Sequence, residues 1–248
     1  MEIHFGGLTG RVPPAAILLI DPLGGRSGVD VKKGILVREH TDTGGFEIGG
    51  MEPWLRSAVG GINDILAGVY GFRLTGTDNG DFYLVINATG GRNSNIDLLV
   101  RIDGWIRTGD VYRYSLVNTE DRLEFRFETF RFSGFRFPLG PGDSKVFLLR
   151  EKITVQYGIE DSRGKSVPDV LAKLLVRPVG GASEEKLIAS PSGKDRVRYD
   201  PTTRLYSFEL STETLSAGQW ELVLILMDGS RHTVPFELVS DSQSMPCG

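Results

Sequence analysis

The sequence predicts an all-β protein, two antiparallel β-sandwich domains in tandem, of the immunoglobulin-like or jelly-roll-like kind. Three observations carry this. Apolar residues recur with period two through most of the 248 residues, the repeat of a half-buried strand. The 32 glycines fall mainly between those alternations, where they mark turns. A stretch with two prolines and two glycines, "PLGPG" at 138–142, separates two such regions and reads as a linker. The expected division is therefore a first sandwich over 1–137, a linker at 138–144, a second sandwich over 145–240 and a flexible tail at 241–248.

In the first region "AILLIDPLGGRSG" is a strand running into a turn, and "GVYGFRLTGTDNGDFYLVINATGG" reads as a hairpin around "TDNGD". "IDLLVRIDGWI" and "GDVYRYSLV" follow as strands. "EPWLRSAVGGINDILAG" is ambiguous, because Trp54, Ala58 and Ile62 share a helical face. Its adjacent glycines, each costing roughly 1 kcal/mol relative to alanine, argue against a long helix. In "DRLEFRFETFRFSGFRF" the apolar parity runs odd through Leu123, Phe125 and Phe127, then even through Phe130 and Phe132. A change of parity at Glu128-Thr129 calls for a bulge, or for a strand leaving its sheet, so the first domain's last strand ends near here.

In the second region Ile153, Val155, Tyr157 and Ile159 face inward, "DSRG" turns the chain, and "VLAKLLVRPVGG" is the next strand. Trp220, Leu222, Leu224 and Leu226 share one face of a strand whose other face carries Val223, Ile225 and Met227. Apolar on both faces, it is a central strand. Asp228-Gly229 makes the next hairpin turn. Val234, Phe236 and Leu238 then point inward, and Pro235, lacking a ladder donor, belongs at an edge or bulge. The expected core of this domain is Tyr206, Phe208, Leu210, Trp220, Leu222 and Leu224. Short strands at this spacing fit an immunoglobulin-like sandwich.

Composition excludes several functions. A net charge of −4 gives no general reason to expect nucleic acid. Arg122 and Arg126, threaded through phenylalanines, sit on the opposite pleat from Leu123, Phe125 and Phe127 together with Glu124, which makes a solvated face. No apolar run reaches the roughly 20 residues of a membrane span, so the chain is not expected to cross one by a helix. The start "MEIHFGG" shows no signal-peptide pattern, so the chain is either intracellular or part of a longer secreted protein. Cys247 is the lone cysteine, so no disulfide framework or cysteine metal site is expected.

Candidate chemistry is sparse. His4, His40 and His232 have no zinc spacing. Asp78, Asn79 and Asp81 are weak calcium candidates, too few for the six to eight oxygens that the ion takes, and Asn79-Gly80 suits a turn better. No nucleophile elbow, Walker loop or Rossmann glycine pattern appears. Asp21, Asp30, Glu39 and His40 are the group that could converge on one rim. Trp54, Trp105 and Tyr112, with Tyr114, are candidate ligand-facing aromatics for a sugar-stacking face, against the commoner use of such residues in cores. No enzyme activity and no cofactor is expected.

The second region also carries a resemblance. "FSGFRFPL", "KITVQYGIEDSRGKSV" and "RVRYDPTTRLYSFELSTETLSAGQWELVLILMDGSRHTVPFEL" together resemble the PxKF domain family over about 130–239. Tyr199, Asp200, Tyr206, Phe208, Thr212, Leu215, Gly218, Leu222, Asp228 and Gly229 stand in register with its pattern. The chain departs from it at the signature itself, with Thr154, Gln156 and Tyr157 at the Pro, Lys and Phe positions. "DPLGGRSG" and "AGVYGFRLTGTDNGDFYL" are similar, less closely, to β-rich accessory modules of large exported bacterial proteins. The resemblance implies a non-enzymatic extracellular accessory or adhesion module, at the cell surface or secreted, with a protein or a cell-surface glycan as partner. A carbohydrate or cell-wall binding module is the alternative, and the non-catalytic end of a secreted hydrolase a further one.

Overall fold

The computed structural model describes residues 1–7, 13–39, 57–61, 66–90, 96–180, 185–190 and 197–240. Among these there is no helix, and the chain divides into two compact units, Met1–Thr129 and Phe130–Gly248.

Among the described residues ten strands build the first unit: β1 (Glu2–Gly7), β2 (Ala15–Ile20), β3 (Arg26–Asp30), β4 (Ile35–Arg38), β5 (Ser57–Gly61), β6 (Gly68–Gly76), β7 (Gly80–Gly90), β8 (Ile96–Ile106), β9 (Val111–Asn118) and β10 (Leu123–Phe127). They form a four-stranded sheet, β5-β1-β7-β8, and a six-stranded one, β10-β9-β6-β2-β3-β4. Every pairing in them is antiparallel. The alternation explains the burial. Tyr70, Phe72 and Leu74 of β6, with Phe82, Leu84 and Ile86 of β7, are all buried, while the residues between them are not. The rings of Phe82 and Tyr112, 6.1 Å apart, join the two sheets.

The "TDNG" segment does not close a hairpin. β6 and β7 lie in different sheets and do not pair, so residues 77–79 carry the chain across the sandwich. Backbone bonds to other loops set this course: the amides of Thr77 and Asp78 donate to the Pro14 carbonyl (2.8 and 3.0 Å), and that of Gly76 donates to the Asp110 carbonyl (2.9 Å). The ambiguous segment is also settled in part. Residues 57–61, including Ala58, are the edge strand β5, whereas Trp54 and Ile62 lie outside the described residues.

Among the described residues nine strands build the second unit: β11 (Arg131–Phe135), β12 (Val146–Leu148), β13 (Lys152–Glu160), β14 (Ala172–Pro178), β15 (Lys186–Ala189), β16 (Arg198–Asp200), β17 (Leu205–Ser211), β18 (Gly218–Leu226) and β19 (Arg231–Val239). One sheet runs β11-β13-β17-β16 and the other β12-β19-β18-β14-β15. Lettered in chain order, these are the A-B-E-D sheet and the C-F-G strands of an immunoglobulin sandwich, with β12 running parallel to β19. β11 pairs with β13, so residues 131–135 belong to the second unit and not to the first, and "PLGPG" lies inside that unit. The parity change at Glu128-Thr129 coincides with the boundary. Phe127 is the last residue of one sheet, and Arg131 opens another.

β18 is buried on both faces between β19 and β14, as its sequence requires. Ile153, Val155, Tyr157 and Ile159 all face the interior, as do Val234, Phe236 and Leu238. Of the expected core, Tyr206, Leu210, Leu222 and Leu224 are buried, whereas Phe208 and Trp220 are only partly so. Trp220 stands where the strand begins and donates its indole N–H to the Ser216 carbonyl at 2.9 Å. Pro235 faces Glu221 of β18, and β12 begins its pairing with β19 only at Glu237. The missing amide therefore removes no ladder bond.

Candidate functional site

The three aromatics proposed to face a ligand separate. Tyr112 is 1% exposed and packs in the core, so it is not ligand-facing; its hydroxyl donates to the Trp105 carbonyl at 2.9 Å. Tyr114 is buried too, stacked 5.5 Å from Phe125. In β9 both tyrosines fall on the inward parity, which their polar tips conceal in the sequence. Trp105 is partly exposed on the edge strand β8, directly across from Asp81 of β7. Trp54 lies outside the described residues.

Asp78, Asn79 and Asp81 sit at the crossing between sheets. The Asp78 carboxylate accepts from the Asn79 amide at 2.7 Å, and the Asn79 side-chain oxygen accepts from the Thr108 amide at 3.0 Å. Asn79 thus ties two loops together. Among the described residues, no group of three or more His, Cys, Asp or Glu side chains is placed to hold a metal ion.

Of the proposed rim, Asp30 and Glu39 do converge, but on an arginine. Arg26 Nε donates to Glu39 Oε2 at 2.8 Å, and its guanidinium lies 3.5 Å from Asp30. That hydrogen bond holds the Glu39 carboxyl below its usual range and Arg26 above its own. Asp21 is spent on its own turn, accepting from the Leu23 and Gly25 amides at 2.8 and 2.7 Å. Asp161 and Asp200 organise the β13–β14 and β16–β17 connections in the same way, and both are held below the ordinary carboxylate range by the backbone amides they accept from. Arg122 and Arg126 both pair with Glu124 on the exposed face of β10. His40 lies outside the described residues.

The groups displaced most from their ordinary titration belong to the second unit. Asp228 is fully buried in the β18–β19 turn, where Oδ1 accepts from the Ser230 amide (3.0 Å) and hydroxyl (2.7 Å), and burial pushes it up to about 6. Burial pushes His232 down to about 4, its ring stacked 4.1 Å from that of Phe132. Tyr157 stacks on Tyr206 at 5.3 Å, and its buried hydroxyl has no hydrogen-bond partner. Desolvation raises its pKa far above the ordinary range. The Tyr206 hydroxyl, by contrast, donates to the Val167 carbonyl (2.6 Å) and accepts from the Val170 amide (2.8 Å), fastening the β13–β14 connection. Of these groups, Asp228 and Tyr206 hold loops, while His232 and Tyr157 pack against other rings.

A concave feature lies on the outer face of the first unit's six-stranded sheet. A groove of about 230 Å³ is lined by Leu18, Val29, Arg73 and Val111, with the Asp30–Lys32 turn and Gly109 at its sides. Arg73 Nε is buried there with no hydrogen-bond partner. In the register of β6 and β9, Arg73 stands directly opposite Arg113. Sequence reasoning missed this pair. "GFRLTG" and "VYRYSL" each show one arginine on the outward parity, but only the pairing register places them side by side.

No family model matches the chain, and no curated protein matches it. Among solved structures it is similar to a mutant of Salmonella alpha-2-macroglobulin, at 12% identity and TM-score 0.35, over 99% of this chain and 18% of that one. It is also similar to trypsin-activated alpha-2-macroglobulin from Escherichia coli, at 8% identity and TM-score 0.29, over 98% of this chain and 24% of that one. A three-immunoglobulin-domain titin variant aligns at 8% identity and TM-score 0.24, over 92% of this chain and 88% of that one. The chain thus spans less than a quarter of the length of the macroglobulins it matches. Its own strand order, and not these likenesses, carries the description of the fold.

Proposed function

We propose that the chain is a non-catalytic accessory module of a larger exported bacterial protein, working through its surfaces at the cell exterior, with a protein or a cell-surface glycan as partner. The use made of its carboxylates supports this reading. Asp21, Asp161 and Asp200 cap their own turns, while Glu39, Glu124 and Glu221 are held by Arg26, Arg126 and Arg177. Acid–base catalysis needs a carboxylate poised at a reacting atom in a concave site, and these are committed to holding loops and sheet faces. The PxKF-like second half and the accessory-module motifs of the first half agree with such a role.

A test starts with the purified chain and panels of glycan, ester and peptide substrates, for which no turnover is expected. Turnover lost on replacing a defined carboxylate cluster would overturn the reading. Fractionation of the source cells, with detection by an antibody to this chain, is expected to place it in the surface or secreted fraction. Recovery in the cytosol alone would refute the exported role.

Trp105 favours one second reading, a glycan-binding module. Partly exposed on the outer strand β8, across from Asp81 of β7, Trp105 has the aromatic surface that sugar rings use. Under this reading Trp105→Ala abolishes retention on an insoluble cell-wall polysaccharide. Unchanged retention, or none by the parent chain, would dismiss it.

A further inference from the structure

The outer face of the six-stranded sheet carries an electrostatic imbalance that the fold itself does not resolve. Arg73 and Arg113 are directly opposed on neighbouring antiparallel strands, and like charges so placed repel. The buried Nε of Arg73 has no partner, although leaving a buried charged donor unsatisfied is costly. The carboxylates nearby are committed elsewhere. Asp30 accepts from the amides of Lys32 (3.1 Å) and Lys33 (3.3 Å) and pairs with Arg26. Glu128, whose own amide donates to the Arg113 carbonyl at 2.9 Å, takes the Ser115 hydroxyl at 2.6 Å instead. The groove that Arg73 lines also carries the apolar Leu18, Val29, Val31 and Val111, with Thr75, the committed Asp30 carboxylate and a further cation, Lys32.

The geometry points to a binding site for a small organic carboxylate, with its anionic head on Arg73 beside Arg113 and its short apolar body over Leu18, Val29 and Val111. A guanidinium presents paired N–H donors that match a carboxylate. Such a ligand, held by the accessible end of the Arg73 guanidinium, screens the repulsion between the two arginines. The volume of about 230 Å³ suits a molecule of a few carbons, not an oligosaccharide. This site is on the six-stranded sheet, whereas Trp105 belongs to the four-stranded one, so neither depends on the other.

The test is a titration of the full chain with 3-methylbutanoate, followed by amide NMR, with 3-methylbutanamide and inorganic phosphate as parallel probes. Saturable shifts are expected at residues 18, 29–32, 73–75 and 111, with a millimolar dissociation constant. The neutral amide, of the same shape but without the charge, is expected to bind at least tenfold more weakly. Phosphate, which leaves the apolar floor uncovered, is expected to be weaker as well. Arg73→Gln should weaken binding at least tenfold. Arg113→Gln, at an exposed position where folding is not at stake, should weaken it at least threefold. The proposal is overturned if the shifts do not saturate, if the amide or phosphate binds as tightly as the acid, or if Arg113→Gln leaves the affinity unchanged.

Discussion

Replacing Asp228 by asparagine should reverse its effect on stability between acid and neutral pH. The carboxylate is fully buried, and burial raises its folded-state pKa from 3.8 to about 6. The raised value means that the folded state holds the proton more tightly than the unfolded chain. The stability it contributes is therefore fully present below about 3.8 and is lost as the pH rises through about 6. At about 1.4 kcal/mol per unit, a displacement of this size corresponds to a loss of about 2–3 kcal/mol between pH 4 and pH 7.5. Asparagine keeps the acceptor for the Ser230 amide and hydroxyl but cannot ionise. Its amide N–H groups need partners in a buried turn, which costs about 1–2 kcal/mol at every pH. Asp228→Asn should then be the less stable protein at pH 4 and the equal or better one at pH 7.5. Urea denaturation of both proteins at the two pH values measures the difference, and other carboxylates cancel because both proteins carry them. A relative change between the two pH values below about 0.5 kcal/mol, or one favouring the wild type at pH 7.5, would refute the reasoning.

Four further outcomes are expected. His232→Phe keeps a ring against Phe132 and removes the opposite dependence: with the folded pKa depressed to about 4, the histidine's stability is present above 6.5 and lost as the pH falls through 4. Discounted for partial exposure, the variant should gain about 1–2 kcal/mol on the wild type between pH 7 and pH 4, as read from the same urea curves. Tyr157→Phe deletes a buried hydroxyl that has no partner, so it should raise the thermal midpoint or leave it unchanged, whereas a loss above about 1 kcal/mol would mean that the hydroxyl has a partner. Leu222→Ala, at a fully buried position of β18, should cost about 2–5 kcal/mol by chemical denaturation. Gly76→Ala should destabilise the first unit by about 2 kcal/mol or more, seen as a lower midpoint, because an added Cβ would collide with the Arg107 carbonyl at the crossing between sheets.

Period-two patterning settled what depends on one strand at a time. The inward sets Ile153-Val155-Tyr157-Ile159 and Val234-Phe236-Leu238, the doubly buried β18 and the Asp228-Gly229 turn were all legible, because pleat and turn preference are local properties. The parity change at Glu128-Thr129 marked where the first unit's last strand ends, although the linker was expected at 138–144, which lies inside the second unit. Tertiary structure decided everything that depends on which strands are neighbours. "TDNGD" has the composition of a hairpin turn, yet loop-to-loop backbone bonds at Pro14 and Asp110 send the chain across to the other sheet. Tyr112, amphipathic by composition, is buried because the opposite sheet offers a carbonyl for its hydroxyl. Asp30 and Glu39 meet on Arg26 because β3 and β4 pair, and Arg73 meets Arg113 because β6 and β9 do. A sequence orders residues along one strand, whereas a site is assembled across several, and the register between strands is set by the packing of the whole sandwich.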